Sequence, residues 1–159
     1  MSALSRGPDS LATIGPITHC GLLIGSPALF AFARDNERVR LRSSEYTHDA
    51  RVLARQERFV AVNSAVEIDL TGQVNGELAE ASYLGAVGGA LDFVRAANSS
   101  VGGVSIVLLP ARRIVERLSG PVSVPRSESG IVVTERGAAD LRGCSLKERQ
   151  RRLQGIATV

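Results

Sequence analysis

The sequence predicts an α/β layer architecture, and three observations carry that prediction. Short β-branched runs alternate along the chain with segments at helical spacing. The runs are more continuously apolar than a sheet wetted on one face requires. The length, 159 residues, suits one ordinary domain with a single core and is too short for two.

Each element can be read in order. Residues 1–13 form a loose lead-in, and residues 14–157 the domain. "CGLLIG" (20–25) is the first expected strand, short and buried. Ser26 and Pro27 then supply an N-cap and a first-turn proline for a helix over "ALFAFARDN". "RVRLRSS" alternates and fits a half-exposed strand, and "THDARVLARQ" opens on capping residues and continues as a helix. "FVAVNSAVEIDLTGQVNGE" (59–77) gives two short strands joined around Asn63 and Ser64, with a Thr-Gly turn at 71–72. "YLGAVGGALDFVRAA" follows, a glycine-rich loop that opens a helix over residues 90–97. "GVSIVLLP" is a buried strand ended by proline, and "PVSVPRS" and "GIVVTERG" are two further strands. The helix "SLKERQRRLQGIA" closes the pattern, with Ser145 and Glu148 as a capping box.

Composition narrows the function classes. With 44% hydrophobic and 22% charged residues the chain has a soluble globular profile, and no apolar run reaches the roughly 18 residues of a membrane span. The first residues lack the apolar core of a secretory signal, which implies a cytoplasmic protein. Cys20 and Cys144 stand far apart without a Cys/His pattern, so both are expected as plain thiols. The net charge of +3 is almost all arginine, Lys147 being the only lysine. Acidic residues interrupt both basic clusters, Arg112-Arg113 and "KERQRRLQ". A solvated helix face accounts for them better than a nucleic-acid surface, which carries a denser basic stripe with stacking aromatics. Neither nucleic acid nor membrane is an expected partner.

Three segments are candidates for chemistry. In the first, Gly88 and Gly89 let the backbone turn sharply and approach a ligand with no Cβ in the way. The spacing is neither a dinucleotide fingerprint nor a Walker loop, and a tight ligand-free connection fits it equally well. In the second, Glu135 ends the apolar strand "IVVTE", where ligands of α/β folds gather, although a solvated loop charge has the same pattern. The third, "VNSAVEIDLTGQVN", carries Asn63, Ser64, Glu67, Asp69, Gln73 and Asn75, which either line a polar site or satisfy irregular turns. Turns are the expected role of Gln73 and Asn75. His48, in "EYTHDA", stands at a helix start where its imidazole can donate or accept. Neither it nor His19 has metal-ligand spacing, and no nucleophile turn surrounds either cysteine.

"SSEYTHDARVLAR", "RFVAVNSAVEIDLTGQVNGE", "GAVGGALDFVRAA" and "VPRSESGIVVTERGAADLRGCSLKER" occur in this order. Together they resemble the C-terminal domain of the acetyl-CoA hydrolase/transferase family, which includes 4-hydroxybutyrate, acetate and succinate CoA-transferases. The similarity covers residues 14–157. It implies a CoA-transferase-type α/β domain, a mixed sheet flanked by helices, forming one half of a two-half active site. In such enzymes a glutamate carboxylate attacks an acyl-CoA thioester to give a mixed anhydride and then a glutamyl-CoA thioester. A second carboxylic acid or water completes transfer or hydrolysis, and each tetrahedral intermediate needs oxyanion donors.

The resemblance assigns roles by position. Gly88 and Gly89 match the active-site loop, where coenzyme A or acyl-CoA is bound as substrate with no permanently held cofactor or metal. Gly89 matches the position whose backbone lies against the reacting carbonyl. Glu135 matches an auxiliary glutamate that orients the site, and His48 a polar position near the acyl group. The nucleophilic glutamate belongs to a segment upstream of the matched region. The resemblance therefore implies a chain inactive alone, completed by an N-terminal-half protein, with a truncated relic or CoA-binding module as the alternative. A domain without its partner half should expose apolar surface and self-associate into a homo-oligomer. Three departures stand out: Val101 where lysine is common, a short connection at residues 111–114, and Arg136 in place of an aromatic.

Overall fold

The computed structural model describes residues 3–5, 17–79, 82–84 and 88–158. Gly85 of the glycine-rich loop and most of the lead-in lie outside the described residues. Ala3–Ser5, inside the lead-in, forms β1 and pairs antiparallel with β2, Ile17–Cys20. After α1, Pro27–Ala33, the chain returns as β3, Val39–Leu41, parallel to β2. The expected strand "CGLLIG" is thus displaced toward the N-terminus. Its first residue Cys20 pairs with Leu41, where β3 ends, so residues 21–25 have no strand to join and Leu22 and Ile24 are exposed.

Two short helices follow, α2 at Ser44–Thr47 and α3 at Ala50–Ala54. Asp49 caps α3 by accepting from the Arg51 N–H at 2.8 Å, so the helix within "THDARVLARQ" starts at Ala50, after the third residue of the segment. The central sheet begins with β4, Val60–Ser64. A smaller unit then holds β5, Glu67–Asp69, β6, Val74–Asn75, and the hairpin of β7, Leu78–Ala79, with β8, Ser82–Tyr83. Helix α4, Ala90–Ser99, crosses back to β9, Val104–Leu108, which lies parallel to β4.

The short connection after β9 is absorbed without a loose end. Pro110 starts a 3₁₀ turn over Ala111–Arg113, and β10, Ile114–Val115, pairs at once with β5. "PVSVPRS" is not a strand. Pro121 and Pro125 remove ladder donors on either side, leaving Val124 a single bridge to Val74. β11, Ile131–Thr134, joins β9 in parallel, and β12, Gly137–Asp140, folds back on it antiparallel. The central sheet is therefore mixed, in the order β12-β11-β9-β4.

One face of this sheet is the core. Phe93, Val94, Ala96 and Ala97 recur at helical spacing on the buried side of α4, which packs on β4 and β9. Val94, Val107, Val132, Leu141 and Leu153 form one cluster, and Leu53, Phe59, Ala61 and Phe93 another. Burying a side chain such as Val94 or Leu153 contributes about 1.5–3 kcal/mol. The opposite face is apolar but only partly covered. In-register Val62, Ile106 and Ile131 lie there, beside Val60 at 52% and Leu108 at 40% exposure.

Helix α5, Leu146–Gln154, closes the sheet edge. Ser145 accepts from the Glu148 N–H, but the Glu148 carboxylate turns instead to Arg152, so half of the expected capping box forms. Arg149 donates to the Arg126 and Thr71 carbonyls and Arg152 to that of Asp140. This part of the basic cluster binds the helix to the domain. Among the described residues no helix is long and apolar enough to cross a membrane.

Candidate functional site

The polar segment after β4 resolves into structure rather than a site. Asp69 accepts from the Thr71 N–H and hydroxyl and from the Gln73 N–H and side-chain amide, at 2.7–3.0 Å. Burial alone would raise its pKa; these four donors outweigh burial and hold it below the usual carboxylate range. Glu67 is likewise buried, which works against its charge, yet the Ser119 N–H and hydroxyl at 2.9 Å bring its pKa down. Asn75, fully buried, accepts from the N–H groups of Glu77 and Leu78 and donates to the Leu78 carbonyl. These groups pin the turns that connect β5, β6 and β7.

Asn63 is different. It is 7% exposed on the core side of β4, and among the described residues neither its amide nitrogen nor its carbonyl oxygen has a partner. Register sets it beside Val107, one strand step past Ala61.

The glycine pair and His48 come together. A Cβ placed on Gly89 would lie 1.8 Å from His48 Cδ2 and 2.2 Å from Nε2, whereas one on Gly88 would meet nothing within 4 Å. Gly89 has φ −76° and ψ 16°, open to any residue, so the turn itself does not demand glycine. The imidazole of His48 lies where a side chain on Gly89 would point. The ring is held in place on two sides. Nδ1 is 2.9 Å from the Thr47 hydroxyl, and the ring stands edge-on to Phe93 at 5.1 Å between centroids. Gly89 is also the N-cap of α4 and has no side chain with which to cap the first-turn N–H groups of the helix.

His48 and Phe93 belong to the wall of a cavity of about 290 Å³, whose other lining includes His19, Ser44, Tyr46, Thr47 and Gln56. Val52, Leu53 and Leu22 complete an apolar lining with a few polar groups, the composition typical of small-molecule sites. His19 and Tyr46 pack at 5.4 Å, and Arg42 lies over the Tyr46 ring at 5.7 Å. Among the described residues His19 Nδ1 is buried without a partner. Partial burial, then the charges of Arg42 and Arg40, lower the His19 pKa.

Glu135 is not part of this wall. It follows β11 on the surface and accepts from the Ala111 N–H at 2.9 Å, the main reason its pKa lies below the usual range, with Arg112 and Arg136 adding to the effect. Sequence reasoning singled out His48 and Gly89 but not Tyr46, Thr47 or Gln56. The one local hint was the pair of rings in "EYTH", two residues apart.

The mixed sheet and the crossing helix α4 are those of a CoA-transferase-type domain. RipA from Yersinia pestis superposes with a TM-score of 0.84 at 32% identity, over 92% of this chain and 35% of that one. A 4-hydroxybutyrate CoA-transferase from Porphyromonas gingivalis superposes at 0.75 and 31% identity, over 92% and 35%.

At the sequence level, residues 25–158 match the acetyl-CoA hydrolase/transferase C-terminal domain. The 4-hydroxybutyrate coenzyme A transferase of Clostridium kluyveri is 36% identical over 85% of this chain and 34% of its own length. The chain belongs to the acetyl-CoA hydrolase/transferase C-terminal domain family. It spans about a third of the length of the curated relatives it matches.

Proposed function

We propose that this domain is the C-terminal half of an acyl-CoA:carboxylate CoA-transferase or acetyl-CoA hydrolase. It supplies the oxyanion end of the site while an N-terminal half supplies the nucleophilic glutamate. The observation that carries the reading is the contact of His48, which lines the apolar cavity with Phe93, with Gly89 at the start of α4, where no side chain caps the helix. When the glutamate oxygen adds to the thioester carbonyl carbon, the carbonyl oxygen gains charge before the C–S bond breaks and the CoA thiolate leaves. Donors fixed in advance at that oxygen stabilise the intermediate without reorganisation. The first-turn N–H groups of α4 fill that role, assisted by His48.

For His48 to donate from Nε2, the single Thr47 hydroxyl proton must point at Nδ1 and not at the Ser43 carbonyl. The hydroxyl has both acceptors in reach, the Ser43 carbonyl at 3.2 Å and His48 Nδ1 at 2.9 Å. With the proton directed to Nδ1, Nε2 bears the hydrogen and donates beside Gly89. Glu135 acts at a distance, fixing the 3₁₀ turn after β9 through Ala111.

Exposed apolar surface supports a partner half. Phe30 and Phe32 on α1, Leu22 and Ile24 before it, and the outer sheet face at Val60 and Val62 are open to solvent. The test is to mix the chain with an N-terminal half carrying the glutamate segment and to assay CoA transfer from acetyl-CoA to butyrate. A stable, active complex is the expected result. A complex that binds acetyl-CoA without transfer would replace this reading by a non-catalytic CoA-binding module, and no complex at all would favour a relic.

A further inference from the structure

On the core side of β4, Ala61 is followed by Asn63, the last inward residue before the strand ends at Ser64. Ala61 shares a cluster with Phe93, Ala96 and Ala97 of α4, and Val107, the register partner of Asn63, shares one with Val94. Helix α4 runs back along the strands that it connects. Phe59, ahead of β4, donates its N–H to the hydroxyl of Ser100, just past the far end of the helix. Two strand residues beyond Ala61 are a step of ~7 Å, and the same step covers ~4–5 helical residues. Counted back from Ala96, it brings the Asn63 carboxamide under the first turn of α4.

The two places have complementary deficits. The Phe93 N–H, on the Gly89 carbonyl at 3.2 Å, makes the first bond of the helix, so Ala90, Leu91 and Asp92 lie ahead of its ladder. Gly89 brings no side chain to cap them. Beneath them, the Asn63 amide has neither donor nor acceptor among the described residues. A buried amide without partners costs free energy, whereas a branched apolar residue would suit this strand position. An acceptor without a donor thus underlies donors without an acceptor, at the end of the domain where His48 meets Gly89.

We propose that Asn63 is a positioning residue of the acyl site. When an acyl thioester is bound, the start of α4 settles onto β4 and the Asn63 carbonyl oxygen accepts from one first-turn N–H. The carboxamide then serves as the cap that Gly89 lacks, and the remaining N–H groups are fixed toward the oxyanion. This rests on the proposed function, because that reading seats the thioester carbonyl at this turn. The stability lost to an idle amide in the free domain is recovered as orientation in the loaded one.

Asn63→Val and Asn63→Thr separate orientation from packing, because they differ in a hydroxyl rather than in shape. Each variant is mixed with an N-terminal half that carries the glutamate segment, and kcat and KM for transfer from acetyl-CoA to butyrate are measured. Asn63→Val should lower kcat about tenfold, the equivalent of about 1.4 kcal/mol, with KM for acetyl-CoA unchanged. Asn63→Thr, which returns an acceptor oxygen, should recover most of that loss. In urea, both free chains should be at least as stable as wild type. An unchanged kcat in Asn63→Val, or equal losses in the two variants, would overturn the positioning role and leave the acyl site in place. A loss of stability in Asn63→Val would overturn it too, because the amide would then already have a partner in the free domain. If the wild-type mixture transfers no CoA, the acyl-site reading fails and the role of Asn63 with it.

Discussion

Gly89→Ala tests the geometry of the site through stability alone. The added Cβ would start 1.8 Å from His48 Cδ2, about 1.7 Å short of the ~3.5 Å at which two carbons rest comfortably. The backbone at Gly89 accepts alanine without strain, so all of the cost falls on the imidazole. To move aside, the ring must give up its hydrogen bond to Thr47 and its edge contact with Phe93. A hydrogen bond is worth about 1 kcal/mol net and an aromatic edge contact about 0.5–1.5 kcal/mol, so Gly89→Ala should cost about 2 kcal/mol. His48→Ala should lose the same two interactions. In the double variant, alanine at 89 meets the space left by the ring, and the second substitution adds nothing. Urea unfolding of the four proteins should give a coupling of about 2 kcal/mol. Costs that add to within about 0.5 kcal/mol would refute the contact.

Other consequences follow from the same structure. Asp69→Ala removes the acceptor of four hydrogen bonds and should cost about 3 kcal/mol at neutral pH. Because folding lowers the Asp69 pKa, its contribution is complete above the unfolded carboxylate value and disappears as pH falls through the folded one. The difference between Asp69→Ala and wild type in urea melts should therefore shrink on acidification. Asn63→Val replaces a buried amide without partners by a strand former, and thermal unfolding should show a gain of about 1 kcal/mol; a loss would reveal a partner for the amide. Gly130→Ala would set its Cβ 2.2 Å from Ser105 Oγ and 2.5 Å from the Ser105 carbonyl oxygen. It should destabilise by about 2 kcal/mol or more, and adding Ser105→Ala should not restore the loss, because the carbonyl remains.

How much of this the sequence displayed depended on whether the cause was local. Helix α4 was legible because its apolar positions recur at helical spacing, and β9 and β11 because their branched residues run without interruption. "GAAD" has no strand propensity of its own; β12 exists because Gly137, at φ 144°, turns the chain back onto β11. "PVSVPRS" has the propensity but lacks the donors. In the site, His48 and Gly89 were each marked by their motifs. Their contact was not, because it depends on how α3 docks on α4 and α2 on α3. The cavity was hidden for the same reason: its wall is assembled from residues 19–22, 44–56 and 93, three segments whose proximity is tertiary.

The central claim is that this domain brings the His48–Gly89 end to a CoA-transfer site. It is tested most directly by isotope exchange between labelled acetate and acetyl-CoA, catalysed by this chain mixed with an N-terminal half that carries the glutamate segment. The wild-type complex should exchange label, and His48→Ala should reduce the rate by about 10²–10³, the effect of losing one oxyanion donor. Exchange at an undiminished rate in His48→Ala would contradict the account.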